Sequence, residues 1–254
     1  MLFRSKVQLA VERVEQALSL NIDPDQIRQL LTNLLVNALD AVCEAGWVRI
    51  ECERQNEGVA IRVCDNGPGL EEAWQTLAAL QKEGKVRWIG VSNFNAQQIQ
   101  RAEKIAPVTS LQPPYSLVRR QIEAETLPYC EKRGIGVIVY SPMASGLLTG
   151  AMTRERAATL PADDFRSRNP EFREPRLSKN LELVERLRQV GARHGRTPGE
   201  VAIAWTLRHP AVTGAIVGAR NAKQAEGVMR AGELKLTTQE IAEIEGAAAV
   251  ATAR

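Results

Sequence analysis

The chain has 254 residues, of which 44% are hydrophobic and 25% are charged, and its formal net charge is +3. This is an ordinary globular composition, with enough residues for one large domain or two small ones. The small net charge and the lack of a dense basic stripe argue against a nucleic-acid-binding protein.

The cysteine and histidine content bears on the cellular compartment of the protein and on whether it holds a metal site. The four cysteines show no C-x-x-C spacing, which favours reduced thiols in the cytoplasm over a disulfide framework. Two histidines, His194 and His209, are too few for a histidine-rich metal site; we expect them on a helix surface and at a helix end, and we predict no metal site. No apolar run is long enough to span a bilayer, and the N-terminus lacks a signal-peptide core, so we expect a cytoplasmic protein without membrane contact.

The first seventy residues predict a small α+β unit. A weak alternation over residues 7–20 predicts a helix leading into a strand. Asp23 and Pro24 are a helix N-cap and a first helical residue, and apolar residues at helical spacing follow as far as Val42. Two alternating strands, 47–53 and 59–64, come next, joined by a turn at 55–58.

Two motifs in this unit resemble those of a known family. QLLTNLLVNALDAV places two asparagines four residues apart on one helix face, and VCDNGPGL ends the second strand. They resemble the asparagine box and the D-x-G-x-G motif of the GHKL ATPases, in their histidine-kinase branch. The resemblance implies an ATP-site remnant consisting of Asn33, Asn37, Asp65, Gly67 and Gly69. Asn37 would be a magnesium ligand and Asp65 the adenine partner.

The rest of the GHKL pattern does not follow. The ATP lid and the second glycine-rich box do not appear downstream, so we expect no binding of ATP and magnesium. The alternative is that these polar residues only cap turns and satisfy backbone groups.

From Glu71 onward, predicted helices and strands alternate. The strands are 86–91, 110–112, 137–140 and 215–217, and a long Arg-rich loop is predicted over 154–179. The alternation predicts an α/β fold with a parallel sheet and right-handed crossovers. The stretch 134–150, GIGVIVYSPMASGLLTG, is a buried strand that runs into a glycine-rich loop, a place where backbone N–H groups can cradle phosphates.

Four segments of this part resemble, in order, the C-terminal half of an aldo-keto reductase: EGKVRWIGVSNF, LQPPYSLVRR, GIGVIVYSPMASGLLTG and AIVGARNAKQ. The resemblance implies four βα units, half of an eight-fold barrel. With the first unit, the predicted fold class is α/β: a half TIM barrel of four βα units joined to a small α+β fragment resembling part of a GHKL ATPase sandwich. We interpret the chain as a chimera with domains at 1–70 and 71–254.

The second resemblance also implies a remnant NADP(H) site. Its residues form three sets: for the nicotinamide, Ser92, Asn93, Gln112 and Tyr140; for the pyrophosphate, Ser141, Gly146 and Leu148; for the adenosine end, Gly218, Arg220 and Gln224. Arg220 would meet the 2′-phosphate, which a guanidinium matches well. Gly227 and Val228 stand where the family often has a polar residue for adenine.

The family's catalytic Asp, Tyr, Lys and His belong to the half of the barrel that this resemblance does not cover. We therefore expect a nucleotide-binding protein without reductase activity. A weak ester or phosphoester hydrolase at the junction is the alternative, with Cys64, Asp65, Asp163 and Asp164 as candidate catalytic groups. ATP binding through the first unit is a further alternative.

We also expect a homodimer. Four βα units leave two bare sheet edges and one open apolar face, and both features favour association. Two copies related by a two-fold axis are the commonest way to cover such a face.

Overall fold

The computed structural model describes residues 8–12, 24–42, 46–55, 58–65 and 69–252. By its contacts the chain divides into two compact units, residues 1–83 and 84–254. The domain boundary predicted at residues 70 and 71 falls within a helix, α2, of the first unit.

The first unit contains a three-stranded mixed sheet. Its strands are β1 (Gln8–Glu12), β2 (Trp47–Gln55) and β3 (Gly58–Asp65), in that order. Strand β1 runs parallel to β2, and β3 runs antiparallel to it. The helices of the unit are α1 (Pro24–Ala41) and α2 (Gly69–Lys82).

The helix predicted to begin near residue 7 is not observed at residues 8–12. They form a strand and not the beginning of a helix, since each residue from Gln8 to Glu12 pairs with a residue of β2. Pairing along a partner strand satisfies the backbone groups of this short segment, and this tertiary effect outweighs a weak local pattern.

Helix α1 packs on the sheet along the predicted apolar stripe. Ala38, Val42 and Val48 are buried together, with Leu35 and Val63 packed against them. The spacing of 35, 38 and 42 is that of one helical face.

The second unit contains a four-stranded sheet in which all neighbouring strands are parallel. In spatial order the strands are β4 (Gly90–Ser92), β5 (Ser110–Gln112), β6 (Gly136–Tyr140) and β7 (Val212–Ile216). The predicted parallel sheet is thus confirmed for the described residues. Leu111, Val137 and Val139 are fully buried on one face of the sheet.

Strand β4 is shorter than predicted. The strand expected at 86–91 begins only at Gly90, and the preceding Trp88 is 74% exposed. A Cβ built on Gly90 would lie 2.8 Å from the backbone oxygen of Ser110. The close approach of β4 to β5 therefore requires glycine at this position.

Seven α-helices are described in this unit: α3 (Ala96–Glu103), α4 (Thr126–Arg133), α5 (Arg154–Ala158), α6 (Arg176–Arg193), α7 (Pro198–Leu207), α8 (Ala222–Met229) and α9 (Thr238–Thr252). Helix α7 starts with a capping box, in which the side chains of Thr197 and Glu200 each accept from the other's backbone N–H. Its residues 198–206 are all buried. None of the described helices is both long and apolar enough to cross a membrane.

The segment predicted as a loop over 154–179 contains regular structure. The Thr153 side chain caps α5 by accepting from the Arg156 N–H at 3.1 Å, and α6 begins within the segment. Phe172 and Leu177 are buried with Leu147 and Met152. These few buried apolar residues pack the polar segment onto the rest of the second unit. The polar composition of the segment therefore led to the wrong prediction of a loop.

Trp205 of α7 lies at the centre of an ionic cluster that ties three parts of the unit together. The Arg208 guanidinium lies 3.9 Å from the Trp205 ring centroid, and that of Arg120 lies 5.1 Å from it. Arg208 also donates to the Tyr115 hydroxyl at 2.9 Å and to Glu245 of α9 at 2.5 Å. The cluster thereby joins α7, α9 and the segment after β5.

The predicted homodimer leads to a direct test. Ile138 and Ile216 are 38% and 42% exposed on the same face of β6 and β7. If this face meets a second copy, light scattering during size-exclusion chromatography should give twice the chain mass at micromolar concentration, and Ile138→Glu should give the chain mass. A monodisperse monomer of the unsubstituted protein would contradict the prediction.

Candidate functional site

A cavity of 680 Å³ opens where β6 and β7 end. Its walls come from the carboxyl ends of these two strands, the loop after β6, the segment around α5, and α8. The volume is typical of sites for small molecules and cofactors. The carboxyl ends of parallel strands are also where α/β proteins place their ligands.

The loop after β6 has an unusual backbone. Ser141, Ala144, Ser145 and Gly146 all have left-handed conformations, with φ values of 54°, 48°, 57° and 92°. The loop is braced from inside, since the N–H groups of Ala144 and Gly146 donate to the carbonyls of Ser141 and Met143, respectively. A compact, fixed loop therefore forms one wall of the cavity.

Three arginines line the cavity: Arg156, Arg166 and Arg220. Arg166 is held by Asp164, with its Nη2 2.6 Å from a carboxylate oxygen. Hydrogen bonds from the side chain and backbone of Arg166 lower the pKa of Asp164 to about 2, with a smaller effect from the charge of Arg220. The guanidinium groups give the cavity the chemistry of a phosphate site.

The turn before α8 positions Arg220. Its backbone N–H donates to the Gln224 side chain at 2.8 Å, and the Gln224 N–H donates to the Asn221 side chain at 2.9 Å. Asn221 is thus the N-cap of α8. Arg220 therefore lies beside a helix N-terminus, whose partial positive charge adds to its own.

A second group of polar residues lies at the ends of β4, β5 and β6. The Ser92 hydroxyl donates to the Gln112 carbonyl at 2.9 Å. The Tyr140 hydroxyl donates to the Asn93 side-chain oxygen at 3.0 Å, and Asn93 is itself left-handed, with φ of 61°. Three neighbouring strands thus bring together the four residues predicted for the nicotinamide.

The cavity lining includes most of the residues predicted for the rest of the cofactor. These are Ser141, Gly146, Gly218, Arg220 and Gln224, along with Tyr140. Leu148 is fully buried and does not line the cavity.

Sequence reasoning missed Arg156 and Arg166. Both lie in the segment predicted as a loop, where they reach the cavity with Thr197 of the α7 capping box. The arginine richness of 154–179 was the only signal, and it did not show which side chains turn inward.

The candidate catalytic residues lie in two different units. Cys64 and Asp65 end strand β3 of the first unit, where Cys64 is half-buried and Asp65 is exposed. Asp163 is exposed and Asp164 is paired with Arg166, and neither lines the cavity. With its pKa lowered to about 2, Asp164 is ionised at neutral pH and is a poor proton donor.

The residues predicted for an ATP site also lie in the first unit. Asn33 and Asn37 are on α1, and Gly69 begins α2 with φ of 66°. Gly67 lies outside the described residues.

Both histidines have structural partners. His194 Nε2 lies 2.6 Å from a Glu240 oxygen, and His209 Nδ1 accepts from the Ala211 N–H at 3.2 Å. Burial lowers the pKa of His209, so its ring is neutral at neutral pH. Within the described ranges, no three side chains of the metal-binding types form a cluster.

The chain belongs to the aldo/keto reductase family, whose model matches residues 11–249. Aldo-keto reductase YhdN of Bacillus subtilis is 36% identical over 160 residues, which are 63% of this chain and 48% of that protein. A probable aldo-keto reductase of Glycine max is 33% identical over 202 residues, which are 80% of this chain and 57% of that protein. The chain thus spans about half the length of these two curated relatives.

A solved structure is also similar. A glycerol dehydrogenase from Gluconobacter oxydans matches with a TM-score of 0.67 at 26% identity, over 84% of this chain and 75% of that one. This likeness reaches beyond the segment in which the sequence motifs were found.

These findings overturn the predicted chimera. The family model matches residues 11–249, a range that begins well before the junction expected near residue 70 and extends far beyond it. The interpretation of residues 1–70 as a truncated GHKL fragment is therefore wrong. So is the predicted fold class of a half barrel joined to such a fragment, because the similar structures are those of whole aldo-keto reductases.

The predicted function was wrong for the same reason as the predicted fold class. The findings place the chain in the aldo/keto reductase family over most of its length and do not support a chimeric nucleotide-binding protein. They give no support to a hydrolase, or to an ATPase built on the asparagines of α1.

Proposed function

We propose that the protein is an NADP(H)-dependent oxidoreductase that interconverts carbonyl compounds and alcohols. The observation that carries this proposal is the arginine-lined cavity, which opens beside the polar group at the ends of β4 to β6. Membership of the aldo/keto reductase family supports it.

The residues present fit this cofactor. Arg156 and Arg220 offer guanidinium donors to a pyrophosphate and a 2′-phosphate, while Arg166 is paired with Asp164. The cavity volume of 680 Å³ is suitable for part of a dinucleotide. The Asn93 side chain and the Gln112 amide would hold the nicotinamide carboxamide. The Tyr140 ring, fixed through its hydroxyl by Asn93, would support the face of the nicotinamide. When bound, NADPH supplies a hydride for the reduction of a carbonyl carbon.

The first test measures binding and turnover with the same protein. NADPH affinity is measured by fluorescence titration, and turnover by the loss of NADPH absorbance with simple aldehydes and ketones. Glycerol and NADP⁺ test the reverse direction, since one similar structure is that of a glycerol dehydrogenase. Cofactor binding with turnover of a carbonyl or alcohol is the expected result. Absence of cofactor binding, or binding without turnover of any of these substrates, would contradict the proposal.

Arg220→Ala is expected to weaken NADPH binding by roughly 10- to 150-fold, because a hydrogen bond to a charged group contributes about 1.5–3 kcal/mol. NADH lacks the 2′-phosphate, so its affinity should change little. Arg186→Ala is the matched control, since Arg186 is exposed on α6, bonds among the described residues to Gln189 and does not line the cavity. Equal losses for NADPH and NADH would remove Arg220 from the 2′-phosphate site.

A cytoplasmic location is also part of the proposal. The described cysteines Cys52, Cys64 and Cys130 are all free thiols, as expected in a reducing compartment. Cell fractionation with an antibody to the protein is the test, and recovery from a secreted or membrane fraction would contradict it.

A further inference from the structure

One of the arginines that line the cavity is fixed by a neighbouring carboxylate. The Arg166 Nε–H donates to Asp164 Oδ1 at 3.0 Å, and its Nη2 donates to Asp164 Oδ2 at 2.6 Å. The two side chains are only 20% and 19% exposed. Solvent therefore screens this ion pair less than it screens a pair on the open surface.

The carboxylate of this pair is itself held in place. Its Oδ1 also accepts from the Arg166 backbone N–H at 2.9 Å. The Asp164 carbonyl accepts from the Ser167 N–H at 2.9 Å and from the Ser167 hydroxyl at 2.7 Å. The guanidinium is thus attached to a tight turn and not to a second mobile side chain.

The pair occupies one edge of the guanidinium and leaves another edge open. Asp164 takes the edge that carries Nε and Nη2, while Nη1 makes no hydrogen bond within the described part of the chain. The Nη1 hydrogens and the second hydrogen on Nη2 form a further fork, the arrangement that binds a phosphate bidentately. Because Arg166 lines the cavity, this fork is offered to a ligand there.

Two effects of the Asp164 charge oppose each other at such a site. A carboxylate repels a phosphate, but it also orders a long side chain before the ligand arrives, so that less freedom is lost on binding. The carboxylate lies at the edge that the ligand does not use, so the positive charge is closer to a bound phosphate than the negative charge is. Arg156 and Arg220 add positive charge to the same cavity. We therefore expect the ordering effect to be the larger one.

We propose that Asp164 is a positioning residue, which holds the Arg166 guanidinium so that its free edge binds a phosphate of the dinucleotide. This inference rests on the proposed NADP(H) function. It gives Asp164 a role in cofactor binding in place of the acid–base role expected from the sequence.

The first test depends on the sign of an effect. Asp164→Asn keeps the size of the side chain and an oxygen for the Arg166 backbone N–H, but it replaces the second acceptor of the fork by an NH₂ donor. Charge alone would make this variant bind a polyanion more tightly. Positioning predicts the opposite: isothermal titration calorimetry of the full chain with NADP⁺ should show binding weakened by about 2- to 12-fold, the cost of ordering one long side chain.

Asp163→Asn is the matched control. It makes the same change of charge at the preceding residue, which is exposed and does not line the cavity. Its affinity for NADP⁺ should equal or slightly exceed that of the unsubstituted protein. Equal weakening in Asp163→Asn and Asp164→Asn would overturn the inference, because the effect would then not depend on the contact with Arg166.

A double-mutant cycle separates positioning from a purely structural role of Asp164. In an Arg166→Ala background there is no guanidinium to hold, and the carboxylate only repels the ligand. Adding Asp164→Asn to this background should therefore leave NADP⁺ affinity unchanged or raise it. The same loss in both backgrounds would show that Asp164 acts through the fold of its segment, and would overturn the inference.

The remaining outcomes are also decisive. If Asp164→Asn alone binds NADP⁺ as tightly as the unsubstituted protein or more tightly, the inference is wrong and the proposed function stands. If the unsubstituted protein does not bind NADP⁺ or NADPH, the proposed function fails and this inference fails with it.

Discussion

Trp205→Ala is expected to lower the free energy of unfolding of the second unit by about 3–5 kcal/mol, the usual cost of removing a fully buried large aromatic side chain. Trp205 is completely buried, and its loss leaves a cavity. It also removes the aromatic face next to which Arg120 and Arg208 lie, and the Nε1–H that donates to Glu245 at 3.2 Å. The two guanidinium groups would then border a void and keep only their bonds to the neighbouring carboxylates and the Tyr115 hydroxyl.

Hydrogen exchange of peptides from α7 and α9 measures this effect within the second unit, without assuming that the two units unfold together. Trp88→Ala is the matched control, because the same substitution at a side chain that is 74% exposed should change stability by no more than about 0.5 kcal/mol. Equal protection of α7 in Trp205→Ala and in the unsubstituted protein would show that the cluster does not stabilise the unit.

Two glycine-to-alanine substitutions are expected to act in opposite directions. A Cβ on Gly191 of α6 would lie 2.4 Å from the backbone oxygen of Arg196, so Gly191→Ala should destabilise the second unit by about 1–3 kcal/mol through overpacking. A Cβ on Gly246 of α9 would meet nothing within 4 Å. Gly246→Ala should therefore stabilise by about 0.5–1 kcal/mol through helix propensity.

The midpoint of thermal unfolding, followed by circular dichroism at helical wavelengths, compares the two variants under identical conditions. The expected order is Gly246→Ala above the unsubstituted protein and Gly191→Ala below it. If both variants shifted in the same direction, local space at the two glycines would not be what decides the effect.

Much of the second unit was predictable because its signals are local. The β-branched run 137–140 and the Pro-Pro pair after residue 112 mark strand ends, and both strands are observed there. Thr197 and Pro198 mark the start of α7 in the same way, through capping and a fixed backbone angle. The residues predicted for the pyrophosphate and the adenosine end came instead from the resemblance of two segments, GIGVIVYSPMASGLLTG and AIVGARNAKQ, to the aldo-keto reductases, and most of them line the cavity.

The remainder depends on tertiary contacts. The β-like pattern of residues 86–89 does not indicate that Trp88 is exposed. Arg156 and Arg166 reach the cavity because the segment 154–179 is packed onto the unit, where Phe172 is buried with Leu147 and Met152. Neither the exposure of Trp88 nor the orientation of the two arginines produces a periodic pattern in the sequence.

The chimera was predicted from two short motifs in the first unit, and its failure has a physical reason. Asn33 and Asn37 lie on an amphipathic helix, and Asp65 ends a hairpin strand. Aspartate after a strand is favoured by turn chemistry in many unrelated proteins, and two asparagines four residues apart share one helix face in any helix. Without the remaining parts of an ATP site, such motifs have little specificity.

The left-handed residues at the strand ends have a thermodynamic consequence for any ligand. Asn93, Ser141, Ala144 and Ser145 carry side chains in a conformation that costs of order 1–3 kcal/mol per residue. That cost is met when the chain folds, so the loop after β6 does not have to be ordered again when a ligand arrives. Glycine at the last three of these positions would avoid the strain. With side chains there, the loop is a rigid, preformed wall of the cavity, obtained at the expense of the protein's own stability.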